Sequence, residues 1–289
     1  MNVRLVPRLD IKGPNLVKGV QLEGLRVLGK PEYFAEYYYE QGADELIYMD
    51  VVASLYQRNS LLDIVTRTAK SLFIPLTVGG GLRSLDDIRA VLRSGADKVA
   101  LNTAAISNPK LVEEAARTFG SSTIVVSIEA IRKDDGSYEA YTDYGREQTS
   151  IDAVEWASRA ADLGAGEILI TSIDREGTGQ GFDLELTRQV SESVKIPVIA
   201  SGGAGSSTHV VEAVKEGKAD AVSVASILHY GFVQIEGNKE EFGEEGNIEY
   251  LKYRRSSSRF ETTTLQGLKA FMVQQGVSCR FSNEGERVD

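Results

Sequence analysis

The chain has 289 residues, 42% hydrophobic and 26% charged, proportions ordinary for a folded globular protein. Its formal net charge of −10 argues against nucleic acid as the main partner, because phosphate backbones call for a basic surface. One cysteine, Cys279, excludes an intrachain disulfide and fits a reducing compartment. No apolar run approaches a membrane span and the N-terminus has no secretory pattern, so a soluble, cytoplasmic protein is expected.

Short apolar runs alternate with amphipathic stretches along the chain. Strands are predicted at Val3–Ile11, Glu45–Val51, Pro75–Val78, Lys98–Asn102, Thr123–Glu129, Glu167–Ser172, Pro197–Ala200 and Ala221–Val224. Their near-continuous Val, Ile and Leu content is that of parallel strands covered on both faces. Helical spacing lies between them, as in Leu85–Ser94 with Ile88, Val91 and Leu92 inward, and Thr208–Glu216 with Val210, Val211 and Val214 inward. Gly42, Gly95, Gly120, Gly164 and Gly217 mark helix ends. Beyond the eighth strand, residues 231–263 form a polar insertion on the side where catalytic loops lie, acidic in its first part and basic in its second. Helical pattern resumes near Leu265.

The chain also contains itself twice. IPLTVGGGLRSLDDIRAVLRSGADKVALNTAAI, from Ile74, matches IPVIASGGAGSSTHVVEAVKEGKADAVSVASI, from Ile196, at an offset of 122 residues, with Lys218 as the one extra residue. Gly42 to Glu45 matches Gly164 to Glu167 at the same offset. Eight strands in two equivalent halves predict a single α/β domain over 1–289, a (β/α)8 TIM barrel built from duplicated half-barrels.

The repeat locates chemistry. Gly79–Gly81 follow strand three and Gly202–Gly203 follow strand seven, each where a strand meets a helix and backbone N–H groups can close on an anion. The next strands end in Asn102–Thr103 and Ala225–Ser226. Each half therefore reads as a phosphate cup, and two cups imply a substrate with a phosphate at each end. Asp10 ends strand one and Glu129 ends strand five, so opposed carboxylates are expected midway between the cups, suited to general acid–base work. Asp50 and Asp174, also near strand ends, read as rim hydrogen-bonding groups at least as well as catalytic ones. Arg4, Glu45, Lys98 and Glu167 sit at strand starts, where inward side chains would form an ion-paired plug or a gate. His209 and His229 have no ligand spacing, so no metal is expected.

The stretches RLVPRLDIKGPNLVKG, GADELIYMD, PLTVGGGLRS, GADKVALNTAA, GAGEILITSIDREGTGQGFD and PVIASGGAGS together resemble HisF, the cyclase subunit of imidazole glycerol phosphate synthase. The resemblance spans nearly the whole chain to His229 and returns beyond Leu265. It implies a lyase of histidine biosynthesis without a cofactor, supplied with ammonia by a HisH-type glutamine amidotransferase. Ammonia would cross the barrel to a bisphosphorylated ribulosyl carboxamide nucleotide, giving imidazole glycerol phosphate and an aminoimidazole carboxamide ribotide. By resemblance Asp10 and Glu129 are catalytic. Lys18 is the lysine of the mobile first loop, and Gly81, Asn102 and Thr103 hold one phosphate. Glu176, Gly177, Gly202, Gly203, Ala225 and Ser226 serve the other, Thr171 and Ser201 line the mouth, and Arg4, Glu45, Lys98 and Glu167 form the ammonia gate.

Three positions depart from the family pattern. Glu129 and Glu176 stand where it has aspartates, and Arg8 replaces a small residue beside Asp10. A retained gate with an altered mouth also suits a HisF-like subunit that delivers ammonia for amidation of a surface-polysaccharide sugar. A HisA-type isomerase and an inactive barrel scaffold are further alternatives.

Overall fold

The computed structural model describes residues 2–53, 61–236 and 259–281. Its strands are β1 (Arg4–Lys12), β2 (Asn15–Val20), β3 (Glu23–Gly29), β4 (Leu46–Asp50), β5 (Leu76–Gly79), β6 (Lys98–Leu101), β7 (Ile124–Arg132), β8 (Tyr138–Thr142), β9 (Glu147–Asp152), β10 (Glu167–Ser172), β11 (Val198–Ser201) and β12 (Ala221–Val224). Eight of them, β1, β4, β5, β6, β7, β10, β11 and β12, pair in parallel in that order, and β12 returns to β1. The ring of strands is closed, so the fold is a TIM barrel with helices outside it. Closure leaves no unpaired barrel edge.

Burial explains why these runs become strands. In β4, β5, β10, β11 and β12 every residue is buried, one face toward the barrel interior and one toward helices. The helices show one apolar stripe. Leu85–Arg93 buries Ile88 and Val91, and Ser207–Lys215 buries Val210, Val211 and Ala213. Leu92 and Val214 are only partly buried. The Ser84 hydroxyl caps the first of these helices by accepting from the Asp87 N–H. Gly42, Gly95, Gly120 and Gly164 take positive φ as predicted. Gly217 does not: Lys218 takes it instead, and a Cβ on Gly217 would lie 2.6 Å from the Ala213 carbonyl oxygen.

An aspartate device recurs at the bottom of the barrel. Asp44, Asp97 and Asp220 each precede a strand and accept from an N–H at the start of the barrel strand before, those of Leu5, Leu76 and Val198. Asp44 also receives the buried Lys269 ammonium, at 2.9 Å. Lys269 lies on the helix Leu265–Gln274 and donates to the carbonyls of Gly42 and Arg280 as well, so this one side chain ties the last helix under the barrel. Alanine at Lys269 leaves Asp44 buried without its cation. A loss of about 3–5 kcal/mol in urea unfolding is expected.

Two hairpins were not anticipated. β2–β3 extends antiparallel from β1, and β8–β9 extends antiparallel from β7. They occupy equivalent places in the two halves, so both halves carry an extension and not only the second. Their turns use left-handed backbone at Gln21–Leu22 and Asp143–Tyr144, again 122 residues apart. Residues 231–236 of the expected insertion belong to the helix Ser226–Glu236, and residues 237–258 lie outside the described residues. Where the chain is described again, the Glu261 N–H donates to the Gly205 carbonyl and Phe260 stacks on Tyr230. Among the described residues no helix is long and apolar enough to cross a membrane.

Candidate active site

Strand alternation places Arg4, Val6, Arg8 and Asp10 on one side of β1. That side is the barrel interior, because Arg4 meets side chains from across the barrel at its bottom. Arg4 pairs with Glu45 at 2.5 Å and Glu167 at 2.8 Å, and Lys98 pairs with both glutamates at 3.0 Å. The four residues form a closed ring of alternating charge, the arrangement expected of inward side chains at these positions whether as plug or gate.

At the opposite end stand the two acids. Asp10 registers with Met49 on β4, and Glu129 with Thr171 on β10. Met49 and Thr171 are 122 residues apart, so the acids are structural equivalents. Neither ends its strand, contrary to expectation. β1 and β7 run on beyond them into the hairpins, where Asp10 faces Val17 and Glu129 faces Tyr141. The extra strands cover both carboxyl groups, and both residues are buried.

Their environments differ. Asp10 accepts from Arg8 Nε at 2.8 Å, lies 3.8 Å from the Lys18 ammonium and receives the Tyr144 hydroxyl at 3.5 Å. Burial works against its charge, but Arg8 and then Lys18 outweigh burial and hold the carboxyl below the usual aspartate range. Among the described residues, the side-chain hydrogen bond that Glu129 accepts is a neutral one, from Asn102 Nδ2 at 3.1 Å. Burial pushes its carboxyl up to about 7, against the pull of Arg8 and with a further push from Asp10. At neutral pH one acid is ionised and the other is poised between forms, the division that proton transfer between two groups requires.

The expected residues gather in two places. Gly81, Asn102, Thr103 and Glu129 line a cavity of about 280 Å³, with Ser127, Asp143 and Tyr144. Gly81 needs its φ of +69°, and a Cβ there would meet the Ala53 Cβ at 2.6 Å. The second cup gathers Glu176, Gly177, Ser201, Gly202, Gly203, Ala225 and Ser226, with Arg8 and Ser223. It has about 10 Å³, room for roughly one water. The cups are therefore equivalent in backbone but unequal in space. Thr171, registered with Ser201, accepts from Arg8 Nη1 at 3.3 Å.

Lys18 is not on an open loop. It lies on β2, buried, and pairs with Glu176. Burial pulls its ammonium down to about 8, Asp10 opposing. His229 is fully buried, donating from Nε2 to the Arg8 carbonyl while Nδ1 accepts from the Tyr38 hydroxyl. Burial pulls its ring down to about 3, so it is a neutral prop behind β1. Asp174 accepts from the Arg132 N–H, and Asp50 accepts from the Val52 N–H while lining the first cup. Tyr144 was missed at sequence level, because a tyrosine in a polar turn carries no periodic signal. Among the described residues no group of three or more His, Cys, Asp or Glu side chains could hold a metal ion.

A family model described as histidine biosynthesis protein matches residues 4–234. The chain is 64% identical over 204 residues to imidazole glycerol phosphate synthase subunit HisF of Legionella pneumophila, covering 71% of this chain and 96% of that one. The chain belongs to the HisF family. HisF of Alkaliphilus metalliredigens is 48% identical over 241 residues, and HisF of Methanocaldococcus jannaschii 48% over 262, covering 83% and 84% of this chain and 96% of each relative. The family-model match thus runs through β1, both cups and the bottom ring.

Proposed function

We infer that this chain is the cyclase subunit of an imidazole glycerol phosphate synthase, acting in histidine biosynthesis. The observation that carries this reading is the pair of buried acids at equivalent positions, set between two glycine-lined cups above a closed ionic ring. Splitting a bisphosphorylated ribulosyl carboxamide nucleotide with ammonia gives two products, each with one phosphate. The reaction needs a site at each end of the substrate and a proton acceptor and donor between them. Gly81, Asn102 and Thr103 serve one phosphate, and Gly177, Gly202, Gly203, Ala225 and Ser226 serve the other. Thr171 and Ser201 orient the middle of the substrate, and Lys18 and Glu176 close over it.

The relatives are named as subunits, which implies a second chain. The partner proposed is a HisH-type glutaminase, docked at the bottom face so that ammonia enters through the ring of Arg4, Glu45, Lys98 and Glu167. Phe73, 82% exposed in the loop leading into β5 on that face, suits such a contact. The chain is read as one domain, in the cytoplasm. The contact of Glu261 with Gly205 supports placing the 231–263 insertion on the catalytic face.

The narrow second cup favours one other reading, a barrel that passes ammonia to a sugar-amidating reaction and needs no second phosphate. Complementation separates them. A strain lacking its own cyclase subunit is expected to grow without histidine when given this chain, and not with Asp10→Asn. No growth alongside stable glutaminase binding would reject the cyclase in favour of the amidation subunit.

A further inference from the structure

The two cups differ at one equivalent position. Arg8 registers with Ile47, and Ser127 with Leu169, partners again 122 residues apart. Ser127 lines the roomy first cup and Arg8 lines the narrow second. The first half thus carries a guanidinium where the second carries a hydroxyl.

That guanidinium is 3% exposed and has three separate ends. Nε donates to Asp10 at 2.8 Å. Nη1 reaches across the interior to Thr171 on β10. Nη2 is buried with no hydrogen-bond partner among the described residues. A buried donor on a charged group is costly to leave unmade, and a guanidinium fork matches oxyanions. The backbone of Arg8 is itself held, by His229 and through it Tyr38.

We propose that Arg8 is a positioning residue that makes the two acids unequal: it clamps Asp10 as the proton acceptor, leaves Glu129 as the proton donor, and offers Nη2 to the anionic end of the ligand in the second cup. The groups facing Asp10 are Arg8, Lys18, Tyr144 and neutral His229. Those facing Glu129 are Arg8, Asp10, Asp143 and Tyr144, with the Gly145 N–H and the Asn102 amide. Arg8 bonds directly to the first acid and acts on the second only at a distance. Ser127 supplies no charge in return. Arg8 is therefore the largest charge contribution to the difference between the carboxyl groups, with Lys18 adding to it, and it stands at a position where the repeat is broken.

The inference rests on the cyclase reading for its turnover assay but not for its titration. Carboxyl groups labelled with ¹³C would be titrated by NMR in the wild type, Arg8→Lys and Arg8→Ser, the last reproducing the other half. In Arg8→Ser the Asp10 resonance is expected to titrate about one pH unit or more higher. The acid limb of ammonium-dependent kcat should move with it, and KM for the bisphosphorylated substrate should rise about tenfold or more. Arg8→Lys keeps the charge without the fork, and should recover most of the titration but little of the KM. An Asp10 titration unchanged in both folded variants, or a pH profile that only scales, would overturn the proposal. A wild type that shows the titration but no turnover would instead reject the cyclase reading and leave the Arg8–Asp10 clamp standing.

Discussion

Glutamine in place of Glu129 is expected to cut turnover sharply and to make the protein more stable in alkaline solution. The carboxyl titrates at about 7 in the fold against an ordinary 4.5, because burial penalises its charge. A raised acid contributes no penalty below its unfolded pKa, a growing one between the two values, and a constant one above the folded value. That window runs from about 4.5 to about 7, and the full penalty is about 3 kcal/mol. Glu129→Gln removes it while keeping an acceptor for Asn102 Nδ2. Urea unfolding at pH 8.5 should show a gain of that order, and unfolding at pH 4.5 should show almost none. Equal stability changes at both values would mean that Glu129 is not buried as a charge. Activity should fall about a hundredfold or more, the usual worth of a positioned proton-transfer group.

Leucine at Lys98 should have the second large effect. The ring would keep Glu45 and Glu167 with Arg4 alone between them, an uncompensated charge at a part-buried site. A loss of up to about 3 kcal/mol in thermal or urea unfolding is expected. The functional signature is separable from it. Turnover with glutamine, measured in complex with a glutaminase, should drop several-fold more than turnover with ammonium salt added from the open mouth. Equal losses with both nitrogen sources would remove the gating role and leave the ring a structural plug.

The barrel strands were legible because each is buried and largely apolar along its middle, and their observed ends lie only a few residues from those predicted. β4, for example, was expected from Glu45 and begins at Leu46. The acids and the glycine cups were legible because the repeat tied each to a partner, and the ring through its two equivalent glutamates. The two hairpins were not. β9 has only exposed and half-buried residues, and β2 is interrupted by Gly19, so neither matches the buried-strand pattern. Their turns place Leu22 and Tyr144 at positive φ, where Asn-Gly or Asp-Gly would have announced a tight turn. The unequal cups were also hidden. Arg8 reads in the sequence only as a departure beside Asp10 until register makes it the equivalent of Ser127.

The bottom ring has a consequence for how the two halves depend on each other. Glu45 and Glu167 are repeat equivalents, one from each half, but both cations come from the first half. Ala221 stands where Lys98 would recur, since Lys98 registers with Thr77 and Ala221 with Ile199, 122 residues on. Thr123, just before β7, stands where Arg4 would recur. Two copies of the second half would bring two glutamates together with no counter-charge. Two copies of the first would bring four cations to two glutamates. Only one of each gives a neutral ring, so the duplicated halves have ceased to be interchangeable parts at the bottom of the barrel.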